Sequence, residues 1–432
     1  YEEFDFLLGY LFLAFISLFL NFFIPLNVIF VPIIIFGFLL FIYFFLKKVI
    51  PTKILGLLLI INFFLIFITI DNQLVYDTKL YHLQTVKYHS NYKVIFGISN
   101  IEPRLAMNSI WHLLISLFNF NFNNINILYL FNYSIYSFFL VMLFSRKKNV
   151  DLEYYFILIF IIYFFIYSYF HPNNNGTILN SLGSPEVDTI SMILFCLSCY
   201  IFLKESKFKS EYEFYVYLLT AVILSITTKL SSLALVFFIA YFFFKKKKNF
   251  LYYKINIFYS IFFLLWVLKS IFSSGCLIFP ISYTCIDFSW SMGHQNVETY
   301  NNIIKSFNRS MGNMKEWSNF EITINSFQWF VPWIKNYFLK VEFLYISFLF
   351  IILLGFLNII INFSSILKIY YKENLSTFII YFVLALSFII WLQAPELRFG
   401  YGFIMCLISL LLLSILKKVK IKSFIEKFNF PL

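Results

Sequence analysis

The chain has 432 residues, 61% of them hydrophobic, 23% aromatic and 12% charged, with a formal net charge of +12. That composition excludes a soluble domain. The basic residues stand as short clusters between hydrophobic runs, so the charge does not indicate nucleic-acid binding. The runs are continuous, not alternating, so the expected fold class is all-α, a polytopic helical membrane protein and not a β-barrel.

In chain order the hydrophobic runs predict about twelve transmembrane helices, at roughly 7–23, 27–46, 54–70, 126–144, 154–170, 188–203, 214–227, 230–244, 254–271, 342–362, 375–391 and 401–416. The first run follows Glu2, Glu3 and Asp5 and lacks a small-residue cleavage site, so it reads as a span and not as a cleaved leader. Lys47, Lys48 and Lys53, Arg146–Lys148, Lys204–Lys209, Lys245–Lys248, Lys368 and Lys372, and Lys417–Lys422 then mark the cytoplasmic side. This parity requires that Asn108–Phe118, too short to span unaided, stays juxtamembrane or re-entrant. The expected organisation is one integral membrane domain over 1–432. An outer loop at 71–125 carries juxtamembrane helices, and a long outer loop covers 272–341.

The same parity puts five polar segments outside: 71–108, 171–188, 227–231, 272–340 and 393–400. Most ionisable residues that are not cytoplasmic anchors fall in or beside them, which predicts one polar chamber at the outer surface. No internal repeat of the transporter kind is present.

Asp71 and Asp77 lie just past the run 54–70. A carboxylate there can act as a general base on an acceptor hydroxyl or bind a metal. Alternatively Asp77-Thr78 starts the next helix as a cap. Tyr81 lies four positions and His82 five positions from Asp77, so both can approach the same site. Arg104 follows Glu102-Pro103 in the same loop. Glu186 and Asp188 form a carboxylate pair at the start of a span; they offer acid/base or ligand groups, or they complement the helix dipole. Lys229 sits in a long apolar stretch, where a cation is either functional or snorkelling. Glu396 and Arg398 form an internal salt bridge, or Arg398 holds a phosphate oxygen bidentately. Cys276 and Cys285, nine apart, can close a disulfide in an oxidising compartment. Cys196, Cys199 and Cys406 lie in spans and read as packing residues. No Walker, Rossmann or Ser-His-Asp signature is present, so the energy for any reaction would reside in an activated substrate. No cofactor follows from the sequence. A divalent cation is the one option the carboxylates leave open, and its ligand set is unknown.

These features, in this order, resemble the GT-C superfamily of polytopic glycosyltransferases. Asp77 best matches the family's catalytic Asp, with Asp71 second, and Asn108–Phe118 resembles a juxtamembrane helix. The segments YDTKLYHLQTVKY, IEPRLAMNSIWHLL, SSGCLIFPISYTC and PELRFGYGF are more similar to a set of bacterial membrane proteins associated with surface-polysaccharide gene clusters. The Asp-Glu tandem of many GT-C members is here Asp77-Thr78. The resemblance implies transfer of a sugar from a polyprenyl-phosphate donor to a glycan or lipid-linked acceptor at the extracytoplasmic face of the bacterial inner membrane, in contact with membrane lipid. On it Asp77, Asp71 and His82 are the catalytic candidates. Tyr81, Arg104, Glu186, Asp188, Lys229, Glu396 and Arg398 are the substrate-binding candidates. The alternatives are a polymerase or ligase using lipid-diphosphate-linked oligosaccharide, a glycolipid flippase or transporter, and a structural assembly subunit.

Overall fold

A computed structural model describes residues 4–49, 51–69, 76–122, 125–144, 181–245, 254–310, 319–340 and 375–418. Within them the protein is all-α, apart from one antiparallel hairpin of the two-residue strands Asn121–Phe122 and Ile125–Asn126. The helices of the first part are α1 (Asp5–Asn21), α2 (Phe30–Leu46), α3 (Thr52–Thr69), α4 (Leu83–Asn91), α5 (Ile110–Leu117) and α6 (Phe131–Phe144). The second part contributes α7 (Asp188–Leu203), α8 (Glu211–Thr228), α9 (Val236–Lys245), α10 (Ile255–Ser274), α11 (His294–Arg309), α12 (Phe330–Lys340), α13 (Leu375–Trp391) and α14 (Leu397–Lys418). The runs expected at 154–170 and 342–362 lie outside the described residues. Two helical stretches, Leu26–Leu46 and Ile255–Ser274, are long and apolar enough to cross a membrane, and several others are apolar but shorter.

Apolar side chains on all faces of α7 explain why it is the central element. Every residue from Asp188 to Phe202 is buried, as expected of a helix without a polar stripe. It packs against α8 and α14, while α1 packs on α5 and α8, and α3 on α6. Helix α2 is equally apolar but uncovered: Phe38, Leu39, Tyr43 and Leu46 are all exposed.

Segment 108–118 forms α5, only eight residues long and buried at every position. At 1.5 Å per residue it extends about 12 Å, far short of a hydrocarbon core of about 30 Å. Ser109 anchors its start, donating to the Thr228 carbonyl at 2.9 Å, at the end of α8.

A second, smaller core joins Tyr88, Ile98, Ala106, Cys276, Phe279 and Val297. Cys276 and Cys285 are disulfide-bonded there. Gly275, in the left-handed region at φ +84°, ends α10 and turns the chain into this loop.

Candidate functional site

Three breaks in helical structure deliver the site's side chains. The chain enters α4 through a π-helical turn, Thr78–His82, in which the Leu83 N–H reaches back to the Thr78 carbonyl. Such turns alter the face a residue presents and are frequent at functional sites. Helix α8 stops at Thr228, and Lys229 adopts an extended conformation before a 3-10 helix at Leu230–Leu235. The third break is the turn after Trp391, whose indole N–H donates to the Glu396 carbonyl at 2.6 Å just before α14 begins.

These breaks and the start of α7 bring together residues from four separate segments. Arg398 pairs through Nη1 with the Asp77 carboxylate, and its Nε lies 3.5 Å from Asp188 Oδ2 and 3.9 Å from Glu396 Oε1. Lys229 pairs through Nζ with the other Asp188 oxygen. Asp188 is 2% exposed and Arg398 13% exposed, so little solvent screens the cluster. Phe399 lies under both cations, its ring centroid 3.8 Å from Lys229 Nζ and 5.3 Å from the Arg398 guanidinium carbon, a contact that favours positive charge. Asp77 makes no helix-capping hydrogen bond; its carboxylate serves Arg398 instead.

Around this core stand groups held out of water. Glu186 is 1% exposed, and among the described residues neither carboxylate oxygen has a hydrogen-bond partner. Burial, reinforced by the charge of Asp188, holds its pKa well above the usual carboxylate range. Burial also pushes the Tyr81 phenol up, with the Asp188 charge adding to the effect. His82 is buried and held neutral, mainly by desolvation and then by His112. Ser184 and Thr78 join the two loops at 2.7 Å. A small cavity of about 10 Å³, the room of a single water, is lined by Asp188, Ser191, Lys229, Ser232, Arg398 and Gly402.

Arg104 stands one ring away from the cluster, its guanidinium 5.7 Å from the Tyr81 ring. Glu102 caps the short 3-10 turn that carries Arg104, accepting from its backbone N–H at 3.2 Å. Asp71 lies outside the described residues. Cys276 and Cys285 belong to the second core and not to the cluster.

Several contributors were not singled out in the sequence. Asn132 donates to the carbonyls of Ser181, Ser184 and Glu186 and accepts from the Trp111 indole at 2.7 Å, which fixes the Glu186 loop. His112 Nε2 lies 2.9 Å from His82 Nδ1. Asn108 accepts from buried Lys269 at 3.1 Å. The available signal was a lone polar residue inside an apolar run, as His112 is within IWHLL. Among the described residues, no group of three or more His, Cys, Asp or Glu side chains is arranged to hold a metal ion. Asp77 and Asp188 direct their oxygens to Arg398 and Lys229.

The site thus belongs to an all-α protein with a buried, mixed-sign cluster of paired carboxylates and cations. The chain belongs to the family described as Domain of unknown function (DUF8201), whose model matches residues 3–405. No curated protein and no solved structure matches it.

Proposed function

We propose that the protein is an integral membrane glycosyltransferase with about twelve spans, acting at the extracytoplasmic face of a bacterial inner membrane. It would move a sugar from a polyprenyl-phosphate donor to a glycan or lipid-linked acceptor in surface-polysaccharide synthesis. The observation that carries the reading is the convergence of Asp77, Asp188, Lys229 and Arg398, from four separate segments, in one buried cluster. The membrane placement is supported by apolar helices such as α2 that present large hydrophobic side chains outward, a surface that water disfavours.

In this reading the donor phosphate competes for the cations. Arg398 and Lys229 exchange their carboxylate partners for phosphate oxygens, and Asp77 is released as a base. The acceptor hydroxyl loses its proton to Asp77 while its oxygen forms the new bond to the anomeric carbon. The bond from that carbon to the lipid phosphate breaks, and the phosphate keeps the electron pair. Negative charge develops on the leaving phosphate, where Arg398 and Lys229 stabilise it. The cavity of about 10 Å³ is too small for a sugar, so donor entry requires this exchange of partners.

The test is a donor-binding measurement in lipid nanodiscs with a polyprenyl-phosphate sugar. Arg398→Ala is expected to weaken binding at least tenfold, because one charge-assisted phosphate contact contributes about 1.5–3 kcal/mol. Unchanged donor affinity in folded Arg398→Ala removes the assigned role.

A further inference from the structure

A groove of about 350 Å³ lies between the ends of α1 and α10, within the roughly 300–1,000 Å³ typical of ligand sites. Its walls are apolar: Phe19, Phe22 and Phe23 from the end of α1, Val94 from the loop after α4, and Leu265 and Leu268 from α10. The other side of α10 is buried, where Trp266 donates to the Asn108 carbonyl and Lys269 to the Asn108 side chain. The groove therefore opens away from the bundle. The same face of α10 continues uncovered at Leu264, Ile261 and Ile257, which follow one another at helical spacing. From Phe272 to Ile261 the helix rises about 16 Å. That matches the depth of one leaflet, half of a hydrocarbon core of about 30 Å.

An aromatic roof closes the end of the groove. Phe272 meets Phe22 edge-on at 5.8 Å and stacks on Phe96 at 4.6 Å; Phe96 in turn meets Trp290, which stacks on Phe288. The roof is fixed by the Gly97 N–H, which donates to the Phe272 carbonyl at 2.8 Å, and by the Asn100 amide, which donates to the Trp290 carbonyl at 2.8 Å. Gly97 stands at φ +67°, and a Cβ there would collide with the Trp290 carbonyl. Aromatic rings at the ends of apolar helices are the pattern of a membrane–water interface. Lys93 is held at the same end. The Val94 N–H donates to the Asn21 carbonyl at 2.9 Å, and the Asn21 amide donates to the Tyr92 carbonyl at 3.2 Å, which clamps this stretch onto the end of α1. Lys93 is exposed and has no carboxylate partner among the described residues.

We propose that the groove holds one acyl chain of an outer-leaflet phospholipid, whose phosphate pairs with Lys93. This rests on the membrane placement in the reading above and not on sugar transfer. The lining offers nothing to a polar ligand, and the lone cation at the mouth suits the phosphate that every phospholipid carries there. One turn of a partner helix, about 10 Å wide and 5.4 Å long, displaces about 420 Å³, more than the groove contains, so a flexible chain and not a helix fits inside. The donor phosphate is assigned to Arg398 and Lys229, reached from the buried side of α10 through Asn108, Ser109 and Thr228. The outward groove is thus left to a lipid of the bilayer.

Native mass spectrometry and lipid extraction of the full chain, washed in detergent, read the retained lipid. The wild type is expected to keep a phospholipid and, on titration, to bind phosphatidylglycerol about fivefold more tightly than phosphatidylcholine. Leu268→Trp fills the groove and loses the lipid, whereas Ile257→Trp, on the same face beyond the groove, keeps it. Lys93→Gln keeps the lipid and loses the preference for the anionic headgroup. A wild type without retained phospholipid overturns the proposal, as does a Leu268→Trp protein that retains as much as the wild type. A retained isoprenoid lipid in its place overturns it and gives the groove to the donor. A dimer that Leu268→Trp dissociates overturns it and gives the groove to a second copy. A wild type recovered in the aqueous fraction without detergent overturns the membrane placement itself. Phospholipid bound by a protein that transfers no sugar from lipid phosphate overturns the glycosyltransferase reading and leaves the occupant of the groove in place.

Discussion

Arg398, at the start of α14, donates to the carboxylate of Asp77, 321 positions earlier in the chain. The same guanidinium reaches Asp188 at 3.5 Å, so one side chain ties the first loop to the start of α7. Both interactions are largely shielded from solvent, which gives them more weight than an exposed ion pair would carry.

Removing Arg398 should therefore destabilise the fold as well as the site. Arg398→Ala removes the cation paired with Asp77 and one of the two beside Asp188, with an expected loss of about 3–5 kcal/mol. Thermal unfolding in detergent reads this. Arg398→Lys should recover part of the stability but little donor affinity, because an ammonium lacks the planar fork that holds two oxygens at once.

The Lys229–Asp188 pair should show strong coupling. A double-mutant cycle with Lys229→Met and Asp188→Asn is expected to give an interaction energy of about 1–3 kcal/mol, above the level typical of surface pairs. A coupling near zero would mean that Lys229 spends its time away from Asp188.

Glu186 makes a prediction about rising pH. Its folded pKa is raised above the ordinary 4.5 by burial and by Asp188. Burial favours the neutral form in the fold, so the stability it contributes is full below 4.5 and is lost as pH rises through the folded value. Glu186→Gln, which cannot ionise, should become progressively more stable than the wild type as pH rises. Melting temperatures of the two proteins from pH 4.5 upward check this, and a constant difference would show Glu186 ionised throughout.

The histidine pair predicts the opposite limb. Burial lowers His112 from 6.5 to about 4, so the folded protein binds its proton less readily than the unfolded chain. The stability this contributes is full above 6.5 and is lost as pH falls through about 4. His112→Gln should flatten the acid limb of the stability profile, as measured by unfolding at successive pH values.

The individual charged residues were legible in the sequence because a charge in so apolar a chain stands out against its cost. Asp77, Asp188, Lys229 and Arg398 each drew attention on that ground. Their mutual pairing was not legible, since contacts across hundreds of residues leave no local periodicity. Asp77 before Thr78 also reads as a helix cap, and only the geometry shows its carboxylate turned to Arg398. The five-residue spacing to His82 gains meaning from a π turn that a 3.6-residue period does not anticipate. His112 drew no notice in the sequence because its contact is with a ring 30 positions away. The upward push on the Glu186 carboxyl likewise depends on burial, which no motif encodes. Segment 108–118 reads as too short to span, and its helix α5 has eight residues.

Sugar transfer by Asp77→Asn tests the central claim most directly. The substitution keeps size and removes the charge, and Arg398 keeps Asp188 and Glu396 nearby. With a polyprenyl-phosphate sugar and a lipid-linked acceptor in nanodiscs, the wild type is predicted to transfer sugar. Folded Asp77→Asn is predicted to be slower by about 10²–10⁴-fold in kcat, with donor binding retained. A folded Asp77→Asn protein that transfers sugar at the wild-type rate would contradict the account.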